Sequence, residues 1–276
     1  MNGLIFDVQR GSTVDGPGVR TTVFFKGCNL RCAWCHNPES QNRQPEMLYY
    51  RDKCTGCGKC TSVCPHKGET CTLCGTCALY CPAEAKQICG RLASEEELLS
   101  EIRKDIPYFV TSGGGATFSG GECLLQPEFL SALLKGCRAE GIHTAVDTAG
   151  NVPFSVLEAI LPDTNLFLYD IKAVTPELHR QYTGADNARI LDNYKKLLQS
   201  GAEVWVRVPL IPEVNANEEE FSKIAAFLKK YPPERTELLP YHALGGNKYR
   251  ALTGEEPPRF SVPDKKTVDA LRAMLS

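Results

Sequence analysis

The chain has 276 residues, of which 42% are hydrophobic and 23% charged, and its formal net charge is −2. Such values are typical of a globular protein with one large domain, or with one domain and a small insert. The near-neutral charge argues against a nucleic-acid partner, because that function requires a basic excess. No run of 18 apolar residues occurs, so we expect no membrane span and no membrane partner.

The N-terminal segment MNGLIFDVQRG lacks a basic region followed by an apolar core, so we expect no secretory signal and a cytoplasmic location. Cysteine is the unusual component, because 11 of the 14 cysteines fall between Cys28 and Cys81 at short spacings. In a reducing compartment, clustered cysteines are more often metal ligands than disulfide partners.

Outside a cysteine-rich segment, the apolar pattern predicts strands that alternate with helices. The predicted strands are Thr21–Lys26, Ala116–Ser119, Thr144–Asp147, Leu166–Ile171, Glu203–Leu210 and Arg235–Pro240. The predicted helices begin at Ser94, cover Glu128–Glu140, Phe154–Leu161 and Ala188–Gln199, begin again after Asn217, and end with Asp264–Leu275. Such alternation favours a parallel sheet with helical crossovers. A complete eight-unit barrel needs roughly 250 residues, so the length favours a partial barrel or an open sheet.

Residues 47–90, which we call the insert, are rich in cysteine, glycine and proline. They contain CTGCGKCTSVCP and CTLCGTCALYCP, the bacterial ferredoxin pattern for two four-iron clusters, in which each fourth cysteine ligates the other cluster. The predicted ligand sets are Cys54, Cys57, Cys60 and Cys81 for one cluster, and Cys71, Cys74, Cys77 and Cys64 for the other. A zinc site would not need eight cysteines at this period. Residues 1–46 and 91–276 then form the main domain.

A third group of cysteines follows the first predicted strand, in the segment GCNLRCAWCHNPES. Cys28, Cys32 and Cys35 can ligate three irons of a four-iron cluster and leave the fourth iron without a protein ligand. An open coordination position is what a catalytic metal requires. A zinc site made of two of these cysteines and His36 is the alternative.

The CxxxCxxC spacing after a first strand resembles the radical S-adenosylmethionine enzymes. The segment DGPGVR at 15–20, and the run CHNP at 35–38, resemble more narrowly the activating enzymes of glycyl radical enzymes, the group that includes the pyruvate formate-lyase activase. The resemblance covers essentially the whole chain, although the pyruvate formate-lyase type lacks the insert. It implies an α/β fold, which we take as a partial (β/α)6 TIM-type barrel with a small ferredoxin-like iron–sulfur insert.

The resemblance also implies roles for residues at or near the predicted strand ends. The residues implied to bind the cosubstrate are Trp34, Gly120, Gly121, Glu122, Asp147, Asp170, Lys172, Arg207 and His242. Trp34 would lie near the adenine, the glycines near the methionine amino group, and Lys172 near its carboxylate. Asp147 and Asp170 would also bind a monovalent cation, and Asp15 would lie near the target glycine of the partner. Cys123 stands where the family usually has proline.

The expected function is that of an oxidoreductase that cleaves S-adenosylmethionine reductively to a 5′-deoxyadenosyl radical, which removes a hydrogen from a glycine of a partner glycyl radical enzyme. The expected cofactors are three [4Fe–4S] clusters and S-adenosylmethionine. We expect a monomer that takes electrons from an external reductant such as flavodoxin or ferredoxin. The alternatives are a radical enzyme acting on a small molecule or peptide, and a non-enzymatic electron carrier, which would not explain Cys28, Cys32 and Cys35.

Overall fold

The computed structural model describes residues 1–67 and 70–275. The strands are β1 Asn2–Ser12, β2 Arg20–Phe25, β3 Glu46–Tyr49, β4 Lys86–Cys89, β5 Arg91–Ser94, β6 Gly115–Gly120, β7 His143–Thr148, β8 Leu166–Asp170, β9 Val204–Leu210 and β10 Arg235–Pro240. The helices are α1 Lys59–Ser62, α2 Thr76–Leu79, α3 Glu95–Arg103, α4 Ile106–Ser112, α5 Pro127–Ala139, α6 Phe154–Ile160, α7 Pro176–Thr183, α8 Ala188–Gln199, α9 Glu218–Lys230, α10 Gly246–Thr253 and α11 Lys265–Ala273. No helix in these ranges has the length and apolarity to cross a membrane.

The main sheet of the described residues contains a parallel series in the order β2-β6-β7-β8-β9-β10, joined by helical crossovers. These are the strands that the sequence predicts, so the predicted α/β fold with a parallel sheet is confirmed. Arg207 of β9 donates to the carbonyl of Val14, which precedes β2. The sheet therefore curves until distant strands face each other, as in a partial barrel.

Two strands that the sequence pattern does not predict extend this sheet. β1 pairs antiparallel with both β2 and β5, so the order at this edge is β6-β2-β1-β5. The predicted helix start at Ser94 is present, because the Ser94 hydroxyl accepts a hydrogen bond from the Glu97 amide at 3.1 Å. Asn217 caps α9 in the same way, through the Glu220 amide.

The insert is built on a hairpin of β3 and β4, which begins where Glu46 pairs with Cys89 and ends where Tyr49 pairs with Lys86. Its two single-turn helices, α1 and α2, each begin after a glycine with positive φ, Gly58 at +68° and Gly75 at +78°. A side chain would be strained in that conformation. The glycine in each cysteine run thus allows the chain to turn sharply.

α10 packs on the insert and on the segment after the third cysteine of the main domain. Lys248 of α10 forms an ion pair with the buried Glu39 at 2.6 Å. Ala251, one turn later, packs in an apolar cluster with Leu48 and Cys89 of the hairpin. The helix therefore fastens the insert to the main domain at a fixed position.

The loop after β8 is held by the buried side chain of Glu220 in α9. The Glu220 carboxylate accepts hydrogen bonds from the amides of Val174 and Thr175 at 2.7 and 2.9 Å, and from the Thr175 hydroxyl. These two amides follow β8 and precede α7, so neither has a partner in a strand or helix. The carboxylate therefore fixes the chain between β8 and α7.

We predict that Glu220→Ala lowers the free energy of unfolding by about 2–4 kcal/mol, because it leaves two amides and a hydroxyl without an acceptor in a buried place. Urea unfolding followed by circular dichroism measures this. The matched control is Glu219→Ala, one position earlier, where the side chain is 87% exposed. Equal effects of the two substitutions would show that the Glu220 contacts contribute nothing.

Candidate active site

A cavity of about 500 Å³ opens at the C-terminal ends of the parallel strands. Parallel α/β barrels build their sites at this end, because residues that follow neighbouring strands meet there. Most of the residues that the sequence singles out contribute to its wall. These residues are Asp15, Cys28, Cys32, Trp34, Cys35, Gly120, Gly121, Asp147, Asp170, Lys172, Arg207 and His242.

The three cysteines in this wall are free of disulfides. Their loop is fastened by α7, since the amides of Arg31 and Ala33 donate to the carbonyls of Thr183 and Tyr182 at 2.7 and 2.9 Å. The sequence pattern does not predict α7. This helix nevertheless determines where the cysteine loop lies.

Burial raises the pKa of Cys28 to about 11 and that of Cys32 to about 12, and it also raises the pKa of Cys35. A metal must therefore displace the thiol protons when it binds. Three free sulfurs at one cavity wall fit a cluster in which each thiolate binds a separate iron.

The zinc alternative needs His36 as a ligand beside two of the cysteines. The His36 ring stacks on the His242 ring with centroids 4.0 Å apart, and its Nε2 atom lies 3.1 Å from the His242 carbonyl. These contacts occupy the ring face and Nε2 of His36, which disfavours the zinc alternative.

Lys172 lies where the chain leaves β8, and its ammonium is 2.5 Å from the Asp170 carboxylate. Burial acts to lower the pKa of Lys172, but the nearby Asp170 carboxylate outweighs it and raises the pKa above its usual value. Lys172 is therefore a cation at neutral pH. The Asn215 amide group holds this turn, because it donates to the Lys172 carbonyl at 2.7 Å and to the Pro209 carbonyl at 2.6 Å.

Arg207 of β9 and Asp147 of β7 form a second charged group, on the two strands that flank β8. The Arg207 guanidinium lies 3.5 Å from the Asp147 carboxylate and 3.3 Å from that of Glu237. Burial raises the pKa of Asp147 to about 6, while Arg207 acts in the opposite direction. The Ser119 hydroxyl also donates to Asp147 at 2.6 Å. A buried charge among apolar neighbours is thus paired, as the sequence predicts for Arg207.

The glycines after β6 are required by the chain itself. Gly120 has a φ of +114°, and a Cβ there would lie 2.4 Å from the backbone of Phe25. A Cβ on Gly121 would lie 2.3 Å from the carbonyl oxygen of Gly27, directly before the first cysteine. Close packing of two strand ends therefore excludes side chains here, and backbone atoms form this part of the cavity wall.

Glu122 lies behind the wall of this cavity. It is 2% exposed, and its carboxylate accepts hydrogen bonds from the Thr148 hydroxyl at 2.7 Å and the Ala149 amide at 3.1 Å. Thr148 and Ala149 do line the cavity. Glu122 thus positions the wall, and a direct contact with the cosubstrate stays a prediction.

Trp34 and Asp15 both line the cavity. The Trp34 ring is buried near Tyr182 and Phe260, with ring centroids 6.3 and 6.2 Å away. The Asp15 carboxylate accepts hydrogen bonds from the hydroxyls of Ser12 and Thr22 at 2.6 and 2.9 Å. The loop that carries Asp15 is therefore ordered by its own neighbours.

A second cavity, of about 30 Å³, lies in the insert. Four predicted cysteine ligands surround it, and they include the fourth cysteine of the second run, as crossed ligation requires. These are Cys54, Cys57, Cys60 and Cys81. The other predicted set is free of disulfides as well. Both ligand sets stay predictions.

Sequence analysis misses two residues that shape the site, Gln41 and Asn215. Gln41 follows the run CHNPES, so its closeness to the cysteines was a usable signal. Asn215 lies in a loop rich in polar residues, IPEVNANEEE, where nothing distinguishes it from its neighbours.

Comparisons with known proteins agree with this geometry. Residues 59–228 match the family model of the radical SAM superfamily, and residues 45–66 match a 4Fe-4S binding domain. The chain is 42% identical to the trans-4-hydroxy-L-proline dehydratase activating enzyme of Clostridioides difficile, over 95% of this chain and 93% of that protein. It is 41% identical to the choline trimethylamine-lyase activating enzyme of Oleidesulfovibrio alaskensis, over 97% and 94%.

Among solved structures, a domain of a pyruvate-formate lyase-activating enzyme from Bacteroides vulgatus is similar, with a TM-score of 0.51 and 33% identity. That match covers 59% of this chain and 93% of that chain. Streptococcus suis SuiB bound to S-adenosylmethionine shares the fold at a TM-score of 0.56 and 14% identity, over 89% of this chain and 44% of that chain.

We predict that Glu122→Gln removes a pH dependence of stability. Burial raises the pKa of Glu122 from 4.5 to about 7, so the folded protein holds this proton more tightly than the unfolded chain does. The contribution of Glu122 to stability therefore falls as pH rises from about 4.5 to about 7, by about 3 kcal/mol. Urea unfolding of both proteins between pH 4.5 and 8 measures the difference.

Groups common to both proteins cancel in this comparison. The control is Glu128→Gln, an exposed glutamate in the following helix, which we expect to follow the parent protein at every pH. A difference between Glu122→Gln and the parent that does not change with pH would contradict the prediction.

Proposed function

The chain belongs to the radical S-adenosylmethionine superfamily and, within it, to the activating enzymes of glycyl radical enzymes, and we propose that its cavity at the strand ends binds the cosubstrate beside a four-iron cluster on Cys28, Cys32 and Cys35. An enzyme of this kind abstracts a hydrogen atom from a glycine of its partner enzyme. One observation carries the assignment of the site: three free cysteines share a single cavity with Lys172 and Arg207.

A cluster held by Cys28, Cys32 and Cys35 would supply the one electron that is needed to cleave the sulfonium of S-adenosylmethionine to methionine and a 5′-deoxyadenosyl radical. The protein's own residues bind and orient the cosubstrate. Lys172 is a buried cation, suited to the methionine carboxylate. The backbone around Gly120 and Gly121 can approach the amino group closely because no side chain intervenes.

The remaining cavity residues complete the proposed cosubstrate site. His242 and Trp34 offer flat rings on one side, next to His36 and the cysteine loop. Asp147 and Asp170 are proposed to share a monovalent cation, although Arg207 and Lys172 already compensate their charge. The cation would then displace or supplement these ion pairs. Glu122 acts through Thr148 and Ala149 in this proposal.

The target glycine of the partner is proposed to approach Asp15, because the loop of Asp15 and Val14 forms one side of the opening. Val14 is 74% exposed, and its carbonyl accepts a hydrogen bond from Arg207. The same arginine thus connects this loop to Asp147. A partner that enters here would lie next to the cosubstrate and remain shielded from bulk water by the curved sheet.

The insert is proposed to bind two further [4Fe–4S] clusters, one on Cys54, Cys57, Cys60 and Cys81 and the other on Cys64, Cys71, Cys74 and Cys77. The four cysteines of the first set surround one cavity, and this supports the assignment. The insert spans residues 47–90 in this proposal, and the radical domain consists of residues 1–46 and 91–276. An external reductant such as flavodoxin or ferredoxin would supply electrons to the monomeric, cytoplasmic enzyme.

We predict that Cys32→Ala abolishes release of 5′-deoxyadenosine by the anaerobically reconstituted, reduced protein. The iron content should fall from about twelve to about eight per chain, because one of three four-iron clusters is lost. The control is Cys137→Ala, a fully buried cysteine of α5 outside the site, which should keep both the iron and the cleavage. Eight irons in the parent protein, with no cleavage, would favour an electron carrier instead.

We predict that Lys172→Met raises the KM for S-adenosylmethionine at least tenfold, because the cation that faces the carboxylate is lost and Asp170 is left unpaired. Cleavage rates at several cosubstrate concentrations measure the change, and an unchanged iron content shows that the cluster is retained. Lys229→Met, which replaces an exposed lysine near the end of α9, serves as the control. An unaltered KM would remove Lys172 from the proposed site.

A further inference from the structure

The insert carries a group of positive charges around the first of its two predicted clusters. Lys59 and Lys86 line the small cavity together with the four cysteines. Arg51 and Lys86 lie over the ring of Tyr49, at 5.2 and 5.4 Å from its centre. Tyr49 itself lines the same cavity, so these cations lie close to the predicted iron–sulfur group.

Two further cation–aromatic contacts extend this positive surface. Lys53 lies 4.8 Å from the centre of the Tyr50 ring, and Lys59 lies 5.8 Å from that of Tyr80. Tyr80 precedes the last cysteine of the set and is 50% exposed. Contacts of this kind hold the long basic side chains near the protein surface while their charges remain in solvent. We call Arg51, Lys53, Lys59 and Lys86, with Tyr80, the basic face.

The charges of the basic face are not neutralised within the described part of the chain. None of its four cations lies within 4 Å of a carboxylate of residues 1–67 or 70–275. Asp52 and Glu84 are exposed on the insert as well but form no ion pair with them. Other exposed basic residues, such as Arg91 and Arg180, do have carboxylate partners.

The positive charge of the insert is concentrated near the first predicted cluster. Between Thr61 and Tyr80, a segment that includes all four predicted ligands of the second cluster, the sequence has a single lysine, Lys67, and a single acid, Glu69. The overall net charge of the chain is −2, so the basic face is a local departure from the average. A local charge of this kind steers and orients a partner of opposite sign.

We propose that the basic face docks an acidic one-electron carrier protein, so that electrons enter at the cluster on Cys54, Cys57, Cys60 and Cys81. Transient redox complexes use small interfaces and depend on complementary charge for fast association. In the transfer one electron leaves the carrier and one enters the cluster, without bond formation or proton movement. This docking site rests on the proposed function of the insert as a site of cluster binding.

The test uses the reconstituted full-length protein and the double variant Arg51→Glu/Lys53→Glu, whose side chains do not line the cluster cavity. The primary measurement is calorimetric titration with an oxidised acidic flavodoxin, and separately with an oxidised acidic ferredoxin. We expect the parent to bind at least one carrier with an affinity that weakens as salt rises. The variant should bind it at least tenfold more weakly, with a flatter salt dependence.

Two controls isolate the position of the charge. Arg51→Lys/Lys53→Arg keeps both charges and should bind as the parent does. Lys229→Glu/Lys230→Glu reverses two exposed lysines at the end of α9, where Lys230 also lies over a tyrosine ring, so it changes net charge equally at another place. Equal weakening by this distant variant, or binding of neither carrier by the parent, would overturn the proposal.

A second readout separates docking from catalysis. Cleavage of S-adenosylmethionine is compared with the reduced carrier and with photoreduced 5-deazariboflavin, an uncharged donor that needs no docking face. Only the carrier-driven rate should fall in the variant, while iron content and the deazariboflavin-driven rate stay unchanged. If the variant loses iron, Arg51→Gln/Lys53→Gln replaces it, and a loss of the carrier-specific effect there counts against the proposal.

The outcomes also distinguish a failure of the docking proposal from a failure of the proposed function on which it rests. A parent protein that cleaves the cosubstrate with deazariboflavin but binds neither carrier contradicts the docking face alone. A parent that cleaves nothing with deazariboflavin contradicts the proposed function. If the variant forms less glycyl radical even with deazariboflavin as the electron donor, the basic face binds the glycyl radical enzyme. That result would overturn docking of the carrier.

Discussion

At the ends of β7, β8 and β9 the chain places two half-buried aspartates, a buried lysine and a buried arginine around one cavity, each beside a group of opposite charge. An unpaired charge in this position would cost far more free energy than the pair does. Within each pair, Lys172 with Asp170 and Arg207 with Asp147, loss of one charge would leave the other without compensation. The Arg207–Asp147 pair joins β9 to β7, while Lys172 and Asp170 both lie at the end of β8 between them, so the two pairs help to shape the cavity.

The pairs depend in turn on polar side chains that hold the loops behind them. Asn215 fixes the turn that carries Lys172, Glu220 fixes the chain that follows, and Glu122 fixes the wall after β7. For the loop backbone groups that these three side chains bind, no strand or helix supplies another hydrogen-bond partner. Backbone amides at strand ends need such acceptors once water is removed from them. The site is thus supported by side chains that never reach its surface.

The family resemblance supplied the residues of the cavity wall, and their position after successive parallel strands, which end at one edge of the sheet, predicted that they converge. Sequence analysis could not place Glu122, whose partner Thr148 lies on another strand, nor the contact of α7 with the cysteine loop. It also missed β1 and β5. Those features depend on contacts between segments that are distant in the chain, and the local sequence pattern does not predict such contacts. Cysteine spacing was informative for the opposite reason, because the ligands of a cluster are largely local.

The contacts of α10 also bear on how the protein opens locally. The Lys248 side chain joins Glu39, and it donates to Asn37, which is 211 positions earlier in the chain. Ala251 packs at the same time on Leu48 in the hairpin of the insert. Detachment of α10 would expose apolar and charged surface of both regions together, so β3, α10 and the segment near Glu39 constitute one cooperative unit. We therefore expect their backbone amides to exchange hydrogen with solvent through a common opening, despite their separation in sequence.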